Sequence, residues 1–355
     1  MISGKHSLQV RRAVGLSILS GLIIFTVFCA QPAQDQAVEL KFSISYPAMH
    51  PMTTDAFEVW ARNVESVTSG RVKITVFPGD SLVSAFTSYD AVQKGACDLV
   101  MGVPPYEPNR FPLTMLMNRP LDFPNAVVSG QIAWDLYQEF PEIQEEYKDV
   151  KLLFFYSTSA YQFHTPKKPI HVKEDLKGLL IRVGGPVDKL IADALGGIPE
   201  FLHMPDTYLA LSKGVLDVHM SAFGPMKGFR TADVTRFHVE NANLHTSIFS
   251  TIVNKEKWNS LSPEDRDAIE GVSGSKAAVL FGRVFDRTDN ETIRFMKDKG
   301  DTFYRLSAEE KVEWRKVLDV IVEDWVEEQE AKGLPGRKIL EATLRLKEKY
   351  TRLDF

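Results

Sequence analysis

The sequence predicts an α/β protein built from two doubly wound lobes, and three observations lead to this prediction. Strand-like alternation and helical stretches follow one another between Val38 and Met101, and a second series of the same kind begins near Leu152. Strands joined by helical crossovers form parallel sheets that are covered on both faces. A short segment also repeats between the two series. Two similar lobes would leave a cleft between them, which is a preferred place for a ligand.

The composition sets limits on size and function. The chain has 355 residues, of which 44% are hydrophobic and 25% are charged, which is ordinary for a globular protein of about two domains. A formal net charge of −5 argues against a general nucleic-acid binder, which normally carries a basic stripe. The two cysteines, Cys29 and Cys97, are too few for a disulfide framework. The fold must therefore rest on its apolar core.

The N-terminal segment has the layout of an export signal. Basic residues up to Arg12 precede an uncharged stretch at 13–34, whose apolar centre is residues 16–28. We predict a signal peptide over residues 1–30 and a periplasmic mature protein. Two alternatives stay open, namely lipid attachment at Cys29 and an uncleaved N-terminal anchor. All three place the rest of the chain outside the cytoplasm.

The first series consists of strands that alternate with helices. Thr53 or Thr54 is expected to cap the first helix, and Gly70 stands where a helix end belongs. Six prolines between residues 103 and 124 predict a loop-rich crossing over the surface. The predicted strands are 38–44, 72–76 and 97–101, and the predicted helices are 56–67, 86–94 and 127–140.

The second series repeats this design. Residues 94–101 match residues 213–220 at Lys, Gly, Asp and Met, and both segments end a helix at Gly and enter a strand through Asp. Such a match is weak alone, because chance agreement at a common junction explains it about as well, but its context favours two similar lobes. The predicted strands are 152–156, 179–183 and 216–220, and the helices are 186–196 and 206–212.

The final third of the chain is predicted to be helical. Ser262 followed by Pro263 is a good helix start, and Ser307 with Glu310 has the spacing of a capping box. A stripe at helical spacing then runs along the last long helix, and such a stripe is typical of core packing. We assign no function to its residues, which are Trp314, Val317, Ile321 and Trp325.

The sequence carries little sign of catalytic chemistry. The sequence lacks the nucleophile elbow, the phosphate-binding loop, the dinucleotide fingerprint and the paired-histidine zinc motif. The eight histidines are scattered, and His203 and His219 are interpreted as structural. We therefore predict no catalytic residue, no metal and no cofactor. An exported enzyme and a membrane-anchored sensor domain are kept as alternative functions.

Arg182 is the most informative single residue. It lies in an otherwise apolar strand, immediately before Gly184, Gly185 and Pro186. An arginine there is unfavourable unless it is paired, and in a doubly wound sheet it would point towards the ligand side. Its planar fork can hold a carboxylate through two parallel hydrogen bonds. A structural ion pair within the same lobe explains its position equally well.

Several segments, in their order and spacing, resemble the solute-binding proteins of tripartite ATP-independent periplasmic (TRAP) transporters, the DctP family. The resemblance extends from Leu40 onwards. It implies a fold like that of type II periplasmic binding proteins, with long C-terminal helices and a cleft that closes on a small organic carboxylate. The small and large membrane subunits would receive this ligand. The segments are 40–42, 69–72, 77–82, 110–113, 175–183, 196–199, 208–217 and 254–258.

The resemblance also places the lobes and the ligand site. The N-terminal lobe would comprise residues 38–160 plus 249–285, and the C-terminal lobe residues 161–248 plus 286–355. The carboxylate-clamping arginine of the family falls on Arg182. Closure would bring Tyr46 and Tyr106 over the ligand. Further lining positions are Val103, Gln162, Met204 and Ser221, with Phe223 beside the last.

Two departures from the sialic-acid branch of the family bear on the ligand. Gln162 replaces a second arginine and Ser221 replaces an asparagine, so polar anchoring is reduced. We therefore expect a monocarboxylate, such as a 2-oxo, 2-hydroxy or aromatic acid. A C4-dicarboxylate stays open, with Arg110 or a backbone nest serving its second charge. A monomer is expected, while the C-terminal helix leaves a dimer open.

Overall fold

The computed structural model describes residues 37–353, and the predicted signal peptide and Cys29 lie outside them. The first sheet has five strands in the order β2-β1-β3-β10-β4. Strands β1 to β3 are parallel, whereas β10 runs antiparallel to both β3 and β4. The strands are β1 (Val38–Ser43), β2 (Val72–Phe77), β3 (Leu99–Gly102), β4 (Val150–Ser157) and β10 (Ile248–Asn254).

The second sheet has six strands in the order β11-β9-β5-β8-β6-β7. Only β5 runs antiparallel to its neighbours in this sheet. Both sheets are therefore mixed, and the prediction of parallel sheets is correct only in part. The strands are β5 (Gln162–Thr165), β6 (Leu180–Val183), β7 (Ile198–Phe201), β8 (Val218–Ser221), β9 (Phe237–Val239) and β11 (Thr302–Tyr304).

Thirteen α-helices lie within the described residues, and several begin as the sequence predicts. Ser307 and Glu310 form the predicted capping box at α12, and Ser262 caps α10. The predicted threonine cap of α1 is wrong, because a π-helical turn at Met52–Phe57 precedes that helix and Thr53 donates its hydroxyl to the carbonyl oxygen of Pro47. The helices are α1 (Glu58–Val67), α2 (Ser88–Gln93), α3 (Ala126–Glu139), α4 (Pro141–Glu145), α5 (Pro186–Ala194), α6 (Thr207–Ser212), α7 (Gly224–Gly228), α8 (Thr231–Val234), α9 (Lys255–Ser260), α10 (Pro263–Gly271), α11 (Gly274–Asp298), α12 (Ala308–Ala331) and α13 (Gly336–Thr351).

The two faces of the second sheet differ in polarity. Ile181, Val218 and Phe163 belong to the apolar core that also contains residues of α5 and α12. Since successive side chains of a strand point to opposite faces, Arg182 and its register partner His219 lie on the other face. This alternation leaves one face of the sheet free for polar groups.

The C-terminal helices connect the cores of both sheets. Trp314 and Leu318 of α12 pack in the core of the second sheet, whereas Trp325 of the same helix packs in a core of the first. Helix α13 packs on α3. The core assignment of the tryptophan stripe is thus confirmed. The lobe boundaries stay a prediction, and these helices are the segment that is hardest to assign to one lobe.

The repeated segment has the same structure at both of its positions. Gly95 and Gly214 adopt left-handed conformations, with φ of 73° and 71°, at the ends of α2 and α6. Asp98 then accepts a hydrogen bond from the N–H of Lys41 at 2.8 Å, and Asp217 accepts one from the N–H of Leu180 at 3.1 Å. Each aspartate therefore links the turn between helix and strand to the neighbouring parallel strand by a hydrogen bond.

Candidate ligand-binding site

A cavity lies between the two sheets and is lined by residues from both. The space between its walls is about 690 Å³, including the solvent at the open side of the cleft. Four of its apolar lining residues are Met101, Val103, Phe229 and Phe249. The serine and threonine side chains that line it are Ser45, Thr158, Ser221 and Ser247. The cavity thus combines a large apolar wall with a small number of hydrogen-bonding groups.

Arg182 is the arginine of this cavity. It lies near the carboxyl end of β6, is only 3% exposed, and donates an Nε–H hydrogen bond to the carbonyl oxygen of Leu202 at 2.9 Å. Among the described residues no carboxylate forms an ion pair with its guanidinium, and Asp188, the acidic residue of the cavity, pairs with His245 instead. The positive charge of Arg182 is therefore available to a bound anion.

A glycine leaves the space that the guanidinium occupies. A Cβ atom at Gly184 would lie 2.9 Å from Nη2 and 3.0 Å from Nη1 of Arg182. Such distances are far shorter than van der Waals contact between carbon and nitrogen atoms. The Gly-Gly-Pro sequence after β6 therefore ends the strand and also gives room to the arginine head group.

Asp188 and His245 form a buried pair beside Arg182. Asp188 lies in the first turn of α5, where one carboxylate oxygen accepts a hydrogen bond from the N–H of Gly184 at 2.7 Å. Its other oxygen is 2.9 Å from Nε2 of His245. Burial raises the pKa of Asp188, but His245, Arg182 and the Gly184 N–H together lower it below its ordinary value. Asp188 is therefore a carboxylate at neutral pH.

Three tyrosines surround the cavity. Tyr46 is buried and Tyr161 is half-buried, and desolvation of the phenol raises the pKa of both well above the ordinary value. Burial also raises the pKa of Tyr106, an effect that the nearby Arg182 opposes. All three therefore keep their hydroxyl protons at neutral pH. They offer hydrogen-bond donors without adding negative charge to the site.

Loops from both sides touch at the edge of the cavity. The rings of Phe86 and Tyr106 stack with centroids 4.4 Å apart, and the His203 ring is 4.8 Å from Phe86. Nε2 of His203 lies 3.9 Å from a carboxylate oxygen of Asp80, which follows β2 of the first sheet. His203 belongs to the segment after β7 of the second sheet. The loops of the first sheet and those of the second sheet are therefore in contact across the cleft.

The structure brings together six of the eight residues that the sequence analysis assigned to the site. They are Arg182, Tyr46, Tyr106, Val103, Met204 and Ser221. Gln162 does not line the cavity, because its side chain binds the N–H groups of Ala242 and Asn243 at 2.7 and 3.2 Å. Phe223 does not line it either, because its ring packs against His164 and Phe303. Expectations for these two positions are corrected accordingly.

Sequence reasoning missed three residues near Arg182. Asp188 has the position of an ordinary acidic residue in a first helical turn, so it carries no separate signal. Tyr161 and His245 come from segments that only the tertiary structure brings next to β6, where their rings lie 4.3 Å apart. Between residues 37 and 353, no group of histidine, cysteine or acidic side chains has the arrangement of a metal site.

Comparison with known proteins identifies the family. The model of the family described as "Bacterial extracellular solute-binding protein, family 7" (DctP) matches residues 42–329. The chain belongs to this family. A family member, the C4-dicarboxylate-binding periplasmic protein DctP of Rhodobacter capsulatus, is 24% identical over 325 residues, covering 88% of this chain and 93% of the relative.

Two solved structures are similar to this family 7 protein over nearly their whole length. A TRAP solute-binding protein from Rhodoferax ferrireducens, in complex with copurified benzoate, has a TM-score of 0.85 and 27% identity, covering 89% of this chain and 99% of the other. A TRAP periplasmic solute-binding protein from Bordetella bronchiseptica with bound (R)- and (S)-mandelate has a TM-score of 0.83 and 26% identity, covering 88% and 99%.

These matches confirm the predicted two-lobed periplasmic binding protein fold. They also confirm that this is a solute-binding receptor for small organic acids rather than an enzyme, as predicted. The helices of the described region give one more finding: none of those between residues 37 and 353 combines the length and apolar character needed to cross a bilayer.

Proposed function

We propose that this protein is the periplasmic receptor of a TRAP transporter and captures a small monocarboxylate with an apolar, aromatic body. The observation that carries the proposal is the buried guanidinium of Arg182, which has no carboxylate ion-pair partner in the described residues and faces a cavity with an apolar wall. After export, the loaded receptor delivers its ligand to the small and large membrane subunits.

The charge of the cavity supports a monoanion. A buried cation without a partner is unfavourable, and a ligand carboxylate supplies two parallel charge-assisted hydrogen bonds to an arginine fork. Asp188 does not compete for this position while it is paired with His245. One free positive charge therefore matches one ligand carboxylate.

The apolar wall supports an aromatic body. Val103, Phe229 and Phe249 line the cavity together with Tyr46. Flat apolar groups gain most from such a surface, since burial of apolar area contributes roughly 25 cal/mol per Å². The benzoate and mandelate in the two similar structures belong to this ligand class.

A C4-dicarboxylate is the second candidate, because the Rhodobacter relative bears that ligand in its name. It would need a second positive partner. Arg110, which the sequence suggested for this role, forms ion pairs with Asp90 at 2.8 Å and Glu107 at 2.9 Å and does not line the cavity. This observation favours the monocarboxylate.

The proposed mechanism is a shift between an open and a closed arrangement. The ligand carboxylate binds Arg182 in the open protein, and closure brings Tyr106 and Tyr46 over the ligand. A ligand can shift this equilibrium only by binding the closed form more tightly. The contact of Phe86 with His203, which joins the two sides of the cleft, is one that closure would complete.

Arg182→Ala is expected to weaken the binding of benzoate by about 2 to 5 kcal/mol, because it removes one partner of a buried charged pair. Isothermal titration calorimetry of benzoate, mandelate, succinate and glucuronate against the mature protein measures the effect. Arg62→Ala is the matched control, since the Arg62 side chain is 62% exposed on α1. Unchanged affinity in Arg182→Ala, or tightest binding of succinate, would contradict the proposal.

A further inference from the structure

His245 lies in the segment between β9 and β10 and is 2% exposed. Its Nδ1 is 2.8 Å from the carbonyl oxygen of Thr246, and its Nε2 is 2.9 Å from Oδ1 of Asp188. The Tyr161 ring covers it, with the ring centroids 4.3 Å apart. The imidazole is therefore held between two oxygen atoms, and its orientation is fixed by packing.

The two contacts determine which ring nitrogens carry protons. A carbonyl oxygen can only accept a hydrogen bond, so Nδ1 must carry a proton towards Thr246. A bare Nε2 would then point its lone pair at a carboxylate oxygen, and the two groups would repel each other. Nε2 must carry a proton as well. The approach to Asp188 is an ion-pair contact rather than an aligned hydrogen bond.

The opposite assignment, a protonated Asp188, fits the surroundings poorly. The other oxygen of Asp188 already accepts the N–H of Gly184, and the guanidinium of Arg182 is a further positive neighbour. These groups stabilise the carboxylate. Asp188 and His245 therefore form a buried pair of opposite charges whose sum is zero.

We infer that His245 is a positioning residue that sets the charge selectivity of the cavity by neutralising Asp188, so that Arg182 is left free for one ligand carboxylate. The inference rests on the proposed function and extends it to the choice between a monoanion and a neutral ligand. Without the charge of His245, Asp188 becomes the counterion of Arg182. The cavity then has no net charge and loses its preference for acids.

A double-mutant cycle tests this role. His245→Gln is expected to weaken benzoate binding by at least about tenfold, because Asp188 is left to pair with Arg182. Asp188→Asn alone is expected to bind benzoate more tightly than His245→Gln does, because the carboxylate that would pair with Arg182 is removed while the asparagine oxygen can still accept the Gly184 N–H. The double variant is expected to return to within about threefold of the unaltered protein, because both charges are then absent.

A merely structural role for His245 gives a different result. Losing two packed side chains would make the double variant bind benzoate as poorly as His245→Gln, or more poorly, and this outcome would overturn the inference. Arg182→Ala introduced into the double variant provides a control. This third substitution should abolish the recovered benzoate binding, because His245 and Asp188 are inferred to affect the ligand only through Arg182.

The protonation of His245 is measured separately on the ligand-free protein. Nitrogen-15 spectra of histidine-labelled protein at neutral pH should show both ring nitrogens of His245 protonated, with His245→Gln providing the assignment. A neutral ring would overturn the inference. This measurement needs no ligand, so it decides the inference even if benzoate fails to bind the unaltered protein, a result that would count against the proposed function.

Discussion

Burial alters the acidity of two carboxyl groups that do not line the ligand cavity. Asp289, on α11, accepts hydrogen bonds from the Ser159 hydroxyl and the Gly224 N–H, yet burial raises its pKa to about 7. Glu146 accepts hydrogen bonds from the N–H and hydroxyl of Thr114 at 3.0 and 2.6 Å, and burial raises its pKa to about 7 as well. Both therefore hold a proton in the folded protein at pH values where the unfolded chain has lost it.

Asp289→Asn is expected to reduce the pH dependence of stability. Between about pH 4 and pH 7 the folded protein binds more protons than the unfolded chain, so the free energy of unfolding falls as pH rises, by up to about 1.4 kcal/mol per pH unit for each group. Above that range the contribution is constant. Urea denaturation from about pH 5 to about pH 8 measures the slope, with the exposed Asp267→Asn as control. Equal slopes in the unaltered protein, Asp289→Asn and Asp267→Asn would contradict a raised pKa of Asp289.

At the scale of single residues, the sequence could predict a side chain whose position is unusual along the chain itself. Arg182 is such a residue, since a charge interrupts an apolar strand just before a Gly-Gly-Pro turn. Gln162 could not be judged in this way, because its partners at Ala242 and Asn243 are about 80 residues away. The pairing of His245 with Asp188 could not be predicted either, because these two residues are also far apart in the chain.

At the scale of elements, alternation of apolar and polar residues predicted β1 and β2, in which exposed residues stand between buried ones. No strand was predicted at β10, where all seven residues are buried. The three-residue strands β9 and β11 are too short to show a period. The glycine junctions were visible, since Gly95 and Gly214 need the left-handed conformation that helix ends often use.

Gly228→Ala is expected to weaken benzoate binding by about tenfold, because fewer molecules would reach the arrangement that binds ligand. Gly228 ends α7, and a Cβ atom there would collide with the ring of His50, which follows β1. Isothermal titration calorimetry measures the affinity, and thermal unfolding of the ligand-free protein checks the fold. The control is Gly271→Ala at the end of α10, where an added Cβ atom would meet no atom within 4 Å outside its own turn of helix. Equal affinity in both variants would contradict a role of this contact in closure.

At the scale of the whole molecule, the sequence predicted two α/β series but not the way in which the chain passes between them. The chain leaves the first sheet after β4, returns to it at β10, and reaches the second sheet again at β11. Helix α12 then contributes to the cores of both sheets. Such crossings depend on pairings between distant segments, for which local periodicity gives no signal. The division into lobes rests on the resemblance to TRAP receptors, and its boundaries stay a prediction.

The proposed function requires that the cavity hold one small monocarboxylic acid and release it chemically unchanged. Native mass spectrometry of the mature protein purified from its own cells, followed by denaturation and identification of the released molecule, tests this most directly. We expect one intact monocarboxylic acid per chain, and its loss in Arg182→Ala. A released molecule without a carboxylate, a dicarboxylate, or a chemically altered product would contradict it.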